Sequence, residues 1–371
     1  MADSRKIFCV NFGSTSTKIG AFEDEEAIFL KSYDLGSEEY PKKFANLDEH
    51  QNFADQLFRK VLEEHDLSLE DFDIFVSRGG GQVFIESGAY QINEKMIEDT
   101  YKIGGEGHPG KLGPRLAYAY SKELGKPAYI VNGPSVDEYM DVARLTGYKE
   151  INRCSRIHTL NQKEVAYRYA AKVGKDYRSL NLIVCHMGGG ISVTAHRQGY
   201  MIDSNDIIEG EGPMSPTRSG AIPVMPLIEM AYSGKYTKEE MILKTIKNGG
   251  LMAHLNTGDL REVESMIGNG DKYAELVMES MVYQIAKFAG SMAVALEGKI
   301  DAILLTGGMS KSGKLCEMME KYLGWLAPIE KFPGEFEMQA LASGIIRVLN
   351  GEDAEHEYTG VDVWTGFNTE Q

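Results

Sequence analysis

The sequence predicts an α/β protein of two domains built on one plan, and three observations carry that prediction. The chain is 371 residues long, more than one typical domain holds and well suited to two. Short runs rich in β-branched and aromatic residues, at residues 6–10, 74–76, 128–131, 182–185 and 300–305, alternate with stretches of helical periodicity. The third observation is a repeat. Strand, Gly/Ser-rich turn, strand, turn, strand occurs first from Lys6 and again from Leu182, which implies duplicated domains with a phosphate loop in each half, facing a shared cleft.

Composition narrows the class. The chain is 43% hydrophobic and 25% charged, with a formal net charge of -16, ordinary for a soluble globular protein and a poor match to nucleic acid or an anionic membrane as partner. Any anionic substrate must therefore meet a local basic pocket. Residues 1–6 lead straight into a strand, without the apolar core of a secretory leader, and the apolar helix at 274–296 carries Glu275, Glu279 and Lys287. Cys9, Cys154, Cys185 and Cys316 are widely spaced with no CxxC pair, so free thiols in a reducing cytoplasm are expected.

The first repeat reads Asn11-Phe-Gly-Ser-Thr-Ser-Thr-Lys18 after the apolar strand. Such a turn offers backbone N–H groups, small hydroxyls and one lysine to a polyphosphate, and an ordinary hairpin would satisfy the same residues. Helical spacing over 47–63 leads to the strand at 74–76, which ends in Ser77-Arg78-Gly79-Gly80-Gly81. A glycine cluster at a strand's carboxyl end is where α/β folds place ligands, and Arg78 suits a carboxylate or phosphate. Residues 105–111 have the glycine and lysine spacing of a P-loop. Leu112 stands where Ser or Thr should be and no strand precedes it, so a loop presenting His108 before a helix at 112–124 is the better reading. The strand at 128–131 ends in Asn132-Gly-Pro-Ser, and His158 opens a helix running to about residue 173.

The second repeat places His186-Met-Gly188-Gly189-Gly190 where the first has its turn, aligning His186 with Asn11. Residues 209–220 form a Gly/Pro/Ser-rich loop too polar for a core, with Arg218 as its anion reader. Helices are expected at 226–233, 238–248, 260–267 and 274–296. The next strand ends in Thr306-Gly307-Gly308, a corner that lets backbone lie against a flat ligand or serves as a plain connection. After Phe332-Pro-Gly-Glu-Phe-Glu337 comes a last helix at 338–348.

With these residues in place, the chain resembles the butyrate kinases of the acetokinase family, within the acetate and sugar kinase, Hsp70 and actin superfamily. The resemblance runs over nearly the whole chain. It rests on residues 11–18, 186–190 and 305–308, together with 77–80, 158–163, 210–220 and 332–334. It implies two duplicated actin-like ATPase domains of ribonuclease H-like fold facing a central cleft, residues 1–155 and 156–344, with 345–371 as a segment that can return to the first. It also implies transfer of a phosphoryl group between ATP and a short-chain carboxylate, with ATP and Mg²⁺ as cofactors and a homodimer or higher homo-oligomer as the assembly. Carried over residue by residue, Asn11, Gly13, Ser14, Ser16, Lys18, Gly188, Gly189 and Gly190 line the phosphates and Gly307 and Gly308 the adenosine. His186, Arg218, Arg78, His158, His108 and Asn132 surround the reacting groups, and Glu337 is the expected partner of Mg²⁺.

Three positions depart from the family pattern. Phe12 replaces a Pro or Ala, His108-Pro-Gly-Lys111 replaces a His-Ala-Ser-Asn block, and Asn132 stands where the family carries Asp. A carboxylate substrate, with a pKa of about 4, is already ionised at pH 7 and needs no base. The alternative left open is a nucleotide-binding paralogue with weak or lost transfer. Acetate, propionate and branched acids differ from butyrate by methylene groups, and no residue can be assigned to the wall that distinguishes them.

Overall fold

Two sheets organise the chain. The computed structural model describes residues 4–13, 16–41, 43–104 and 108–367. Strands β1 (Lys6–Phe12), β2 (Ser16–Glu23) and β3 (Glu26–Asp34) form a meander, followed by helix α1 (Leu47–Glu63), β4 (Ile74–Ser77) and β5 (Ala89–Gln91). Helices α2 (Glu94–Lys102) and α3 (Leu112–Leu124) then lead to β6 (Ala128–Val131). A short helix α4 (Asp141–Arg144) and α5 (Thr159–Val173) precede a second meander of β7 (Asn181–Met187), β8 (Ile191–Arg197) and β9 (Tyr200–Ser204). Next come α6 (Val224–Ala231), α7 (Lys238–Ile246), α8 (Gly250–Leu255), α9 (Leu260–Gly268) and α10 (Lys272–Ala295). The chain closes with β10 (Ala302–Gly307), α11 (Gly313–Leu323), β11 (Ile329–Pro333), α12 (Glu337–Leu349) and β12 (Glu355–His356).

The chain divides into two units, Met1–Asp137 with Thr159–Glu164 and Phe336–Gln371, and Glu138–His158 with Val165–Glu335. The sheet of the first unit has the order β12-β5-β6-β4-β1-β2-β3, and that of the second β11-β10-β7-β8-β9. In the first, β1 pairs antiparallel with β2 and parallel with β4, while β2 pairs antiparallel with β3 and β4 parallel with β6. In the second, β7 pairs antiparallel with β8 and parallel with β10, and β8/β9 and β10/β11 repeat the remaining relations. Five strands therefore correspond one for one. Even the register irregularity between β2 and β3 recurs between β8 and β9.

Each sheet is buried on both faces, which is why its central strands read as continuous apolar runs rather than alternating ones. In β1, Ile7 and Cys9 pack with Leu341, Ala342 and Ile345 of α12, while Phe8 turns to Phe58, Phe72 and Tyr120. In the second unit Ile183, Cys185 and Met187 of β7 share a core with Met278, Met281, Val282 and Ile285 of α10. Burial pushes the thiols of Cys9 and Cys185 up, as expected for cysteines that only fill space.

Helices α1 and α3 span the expected residues. Of the rest, α2, α8, α11, β5, β11 and β12 have no counterpart in the sequence expectation. They are short, and the strands among them exist through pairing: β5 is three residues held on β6, and β12 two residues held on β5. The fold brings the chemistry to strand carboxyl ends. Asn11 lies near the end of β1 and His186 near that of β7, Arg78 and Asn132 follow β4 and β6, and Gly307 ends β10.

Candidate active site

In the first unit, the antiparallel register of β1 and β2 sets Asn11 opposite Lys18, so both side chains rise from one face. Glu337, the first residue of α12, meets them there. Asn11 Nδ2 donates to Glu337 Oε2 at 2.8 Å, Lys18 Nζ lies 3.6 Å from the same oxygen, and Arg78 Nη1 lies 3.8 Å from Oε1. The Oδ1 of Asn11 is buried with no hydrogen-bond partner among the described residues. A buried amide oxygen without a donor, beside a carboxylate, is a hard-oxygen pair of the kind Mg²⁺ accepts, since that ion takes few protein ligands and completes its shell with phosphate and water. Among the described residues no cluster of three or more His, Cys, Asp or Glu forms a self-sufficient metal cage. Gly13 N–H donates to Ser16 O at 2.8 Å and tightens the turn; Ser14 lies outside the described residues. Phe12 is buried against His50 and Phe58, so the departure at this position fills the core.

Arg78 stands on the glycine cluster after β4. Gly80 has φ +156°, and a Cβ there would stand 2.4 Å from the carbonyl oxygen of Gly110, so the Arg78 and His108 loops pack backbone on backbone. Gln82 clamps the turn by accepting from Gly80 N–H at 2.6 Å and donating to Gly80 O at 2.8 Å. His108 Nδ1 accepts the N–H of Gly110 at 3.1 Å. That bond requires a bare Nδ1, which places the ring's proton on Nε2. Loss of water around the ring, and then repulsion from Arg78 and Lys111, lowers its pKa and keeps it neutral at pH 7. Asn132 is buried with φ +43°. Its Oδ1 accepts from Gly88 N–H at 2.9 Å and its own N–H donates to Gly88 O at 3.0 Å, so the residue clasps the loop before β5.

The second unit assembles a different set. His186 is buried near the end of β7, and the turn Gly188-Gly189-Gly190 is closed by Gly188 N–H donating to Gly190 O at 3.0 Å. A Cβ on Gly190 would stand 1.3 Å from Arg218 Nη1, so the guanidinium lies directly on this α-carbon, which only glycine permits. Arg218 Nη1 is buried and has no hydrogen-bond partner among the described residues. Burial lowers the Arg218 pKa, and the charge of Asp206 acts in the opposite direction. An arginine held on a glycine turn with a buried, unsatisfied N–H is a seat for an anion.

The loop carrying Arg218 corrects the sequence expectation. Residues 212–216 are buried, although the loop reads as too polar for a core. Burial is tolerated because its polar groups are paired. Ser215 Oγ donates to Gly189 O at 2.7 Å and accepts from Arg218 N–H at 3.1 Å, Ser215 N–H donates to Arg218 O at 3.1 Å, and Met214 N–H donates to Gln284 Oε1 at 2.9 Å. Ser215 thus latches the arginine loop onto the glycine turn.

His158 caps the start of α5, and its ring stacks on that of His186 with centroids 3.8 Å apart and planes 9° from parallel. His158 Nδ1 lies 2.9 Å from Ser192 Oγ. On the adjoining strand β10, Thr306 is in register with His186, and Gly307 and Gly334 exchange backbone bonds of 2.9 and 3.2 Å. Among the described residues, and apart from its own neighbours in the chain, nothing lies within 4 Å of where a side chain on Gly308 would begin, which leaves room for a flat ligand at this corner.

The first unit thus gathers Asn11, Lys18, Arg78 and Glu337, with His108 and Asn132 on loops tied to the same frame. The second gathers His186, His158, the glycine turn and Arg218, with Gly307 and Gly308 on the next strand. Residues with no sequence signal support them. Asn161 Oδ1 accepts from Phe336 N–H at 2.8 Å, immediately before Glu337, and Gln82, Ser192 and Ser215 act as described. Each is a common polar residue whose partner lies far off in sequence.

Known proteins resemble this chain over most of its length. Residues 141–326 match the model of the acetokinase family. A probable butyrate kinase of Clostridium botulinum (strain Eklund 17B / Type B) is 43% identical over 351 residues, covering 94% of this chain and 98% of that protein. Butyrate kinase 1 of Clostridium acetobutylicum is 42% identical over 354 residues, covering 95% and 99%. The fold is shared with the crystal structure of Porphyromonas gingivalis acetate kinase, with a TM-score of 0.77 at 20% identity over 93% of this chain and all of that one. It is shared too with a propionate kinase from Francisella tularensis, with a TM-score of 0.74 at 18% identity over 92% and 98%.

Proposed function

The chain belongs to the acetokinase family, and from that premise we propose that it transfers the γ-phosphoryl group of ATP reversibly to a short-chain carboxylate, butyrate, giving butyryl phosphate and ADP. The observation that carries the reading is Arg218, whose buried, unpartnered Nη1 rests on the Gly190 turn beside the stacked His158 and His186. In the proposed reaction a carboxylate oxygen attacks the γ-phosphorus as the bond to the β-phosphate oxygen breaks, and that oxygen leaves with the electron pair on ADP. The acid is already ionised, with a pKa of about 4, so the protein's task is positioning and charge neutralisation. Asn11, Gly13, Ser14, Ser16 and Lys18, with Gly188, Gly189 and Gly190, line the phosphates, and Gly307 and Gly308 the adenosine. Arg78 and the Nε2–H of His108 hold the acid, and Arg218, His158 and His186 donate to the oxygens of the group in transit. Glu337 and the Oδ1 of Asn11 would hold Mg²⁺, which when bound would neutralise phosphate charge.

The test is trapping. Protein, ATP, Mg²⁺ and butyrate incubated with hydroxylamine should yield the hydroxamate of an acyl phosphate, and absence of product above a butyrate-free control would overturn the reading. A chain-length series of acids assigns the preferred substrate. A second reading, a nucleotide-binding paralogue without efficient transfer, is favoured by one feature: Asn132 spends its Oδ1 on Gly88 and leaves no carboxylate at the end of β6. Transfer that is absent in the native chain and emerges in Asn132→Asp would select it.

We place the protein in the cytoplasm, in keeping with four free cysteines and with the absence, among the described residues, of a helix long and apolar enough to cross a membrane. We also read it as a homo-oligomer, most simply a dimer. Helix α6 supports this, for Val224, Met225 and Ile228 are exposed and none of its residues is buried. Light scattering on the purified protein decides the assembly.

A further inference from the structure

Ser192 occupies a position that neither the repeat pattern nor the list of phosphate-facing residues assigns. It is the second residue of β8, fully buried, and the antiparallel register sets it directly opposite His186. Its Oγ lies 2.9 Å from Nδ1 of His158, whose ring lies flat on His186. One hydroxyl thus connects the cap of α5 to the β7/β8 hairpin at the point where the two imidazoles meet. Near the turn of this hairpin stand two charged groups of opposite sign, Arg218 against Gly190 and Glu335, whose Oε1 would lie 3.8 Å from a Cβ on Gly188.

A ring that serves the negative oxygens of a phosphoryl group must present an N–H, not a lone pair. A neutral imidazole does so from Nε2 only when Nδ1 is an acceptor, and the partner of Nδ1 decides this. A carboxylate in that place would require a proton on Nδ1, whereas a serine hydroxyl can supply one. Protonating the ring outright is the other route to a donor at Nε2.

We infer that Ser192 is a positioning residue: its hydroxyl donates to Nδ1 of His158, fixes that ring's proton on Nε2, and so makes Nε2–H the donor offered to the phosphoryl group. The last clause rests on the proposed kinase reaction; the first two do not.

Two measurements test it on the full chain. In ¹⁵N spectra of histidine-labelled protein, with the His158 signals assigned through His158→Gln, the wild type should show a pyrrole-like Nε2 and a pyridine-like Nδ1. Ser192→Ala should move both nitrogens toward the values of a tautomer mixture. In steady-state assays Ser192→Ala should lower kcat about tenfold to a hundredfold, with KM for ATP and for the acid within about twofold. Ser192→Thr, which keeps the hydroxyl, should recover kcat to within about threefold. In a His158→Gln background Ser192→Ala should change kcat by less than about twofold, because the residue acts through that ring. An unchanged His158 tautomer in folded Ser192→Ala overturns the inference, as does an undiminished loss in the His158→Gln background. Failure of the wild type to form acyl phosphate would overturn the kinase reading instead, and the spectra would still decide what Ser192 does to the ring.

Discussion

A methyl group on residue 190 would occupy the place of the Arg218 guanidinium, with 1.3 Å between the added carbon and Nη1. Gly190→Ala should therefore displace the arginine and leave the strands on either side intact. The expected result is a fall in kcat of about 10²–10³-fold, the range seen when one directed donor is lost from a site of developing charge. Circular dichroism should not change. His50 sets a prediction of another kind. Its Nε2 lies 2.7 Å from Tyr40 Oη, its ring stacks on Phe44, and burial pushes its pKa down to about 4. The folded ring is neutral, while the unfolded chain takes up a proton below about 6.5, so unfolding binds more protons between those values. The stabilisation is complete above pH 6.5 and is lost as pH falls toward 4, by an amount on the order of 2 to 3 kcal/mol. Urea unfolding at pH 7 and pH 5 should show the loss, and His50→Phe should remove most of it.

At the scale of elements, the segment after α12 does what neither its composition nor its length announces. It supplies backbone and side-chain partners to the loop between β4 and β5. Tyr358 Oη donates to Asp99 Oδ2 at 2.9 Å and accepts from Val83 N–H at 3.2 Å, Asp362 Oδ1 accepts from Phe84 N–H at 2.7 Å, and Val363 N–H donates to Phe84 O at 3.0 Å. Tyr358→Phe leaves Asp99 and Val83 short of partners and should cost about 1–3 kcal/mol, read as a lower urea midpoint at constant slope. Helices with several turns, such as α1, were legible from their apolar spacing. Elements such as β5 and β12 were not, because a strand of two or three residues is stabilised only by the neighbour it pairs with.

For the whole molecule, the consequence lies in connectivity. The first unit takes its α12 from the far end of the chain, where Leu341, Ala342 and Ile345 are buried with Ile7 and Cys9. Glu164, buried, accepts from Ser343 Oγ at 2.7 Å and from Arg347 Nη2 at 3.1 Å. A chain stopped after Glu335 would expose one face of the first sheet and take Ser343 and Arg347 from the buried Glu164 carboxylate, at a cost of about 3–5 kcal/mol for the broken ion pair alone. Hydrogen exchange on that truncated protein should show protection confined to residues 138–158 and 165–335. Protection retained across β1, β4 and β6 would show that α12 is dispensable.

The sequence alone determined the doubled strand-turn-strand plan, the Gly/Ser-rich stretches between its strands, and the arginines and histidines beside them. These follow from local rules: apolar runs form buried strands, and glycine with small polar residues forms tight turns between them. What encloses those turns was decided only by tertiary structure. That Asn11, Lys18 and Arg78 converge on Glu337, that Arg218 lies on Gly190, that Ser192 meets His158 and that Asn132 clasps Gly88 are contacts between residues up to 326 positions apart. No local periodicity encodes them, because each partner's type is common and only the packing of the sheets and helices brings the two within hydrogen-bonding reach.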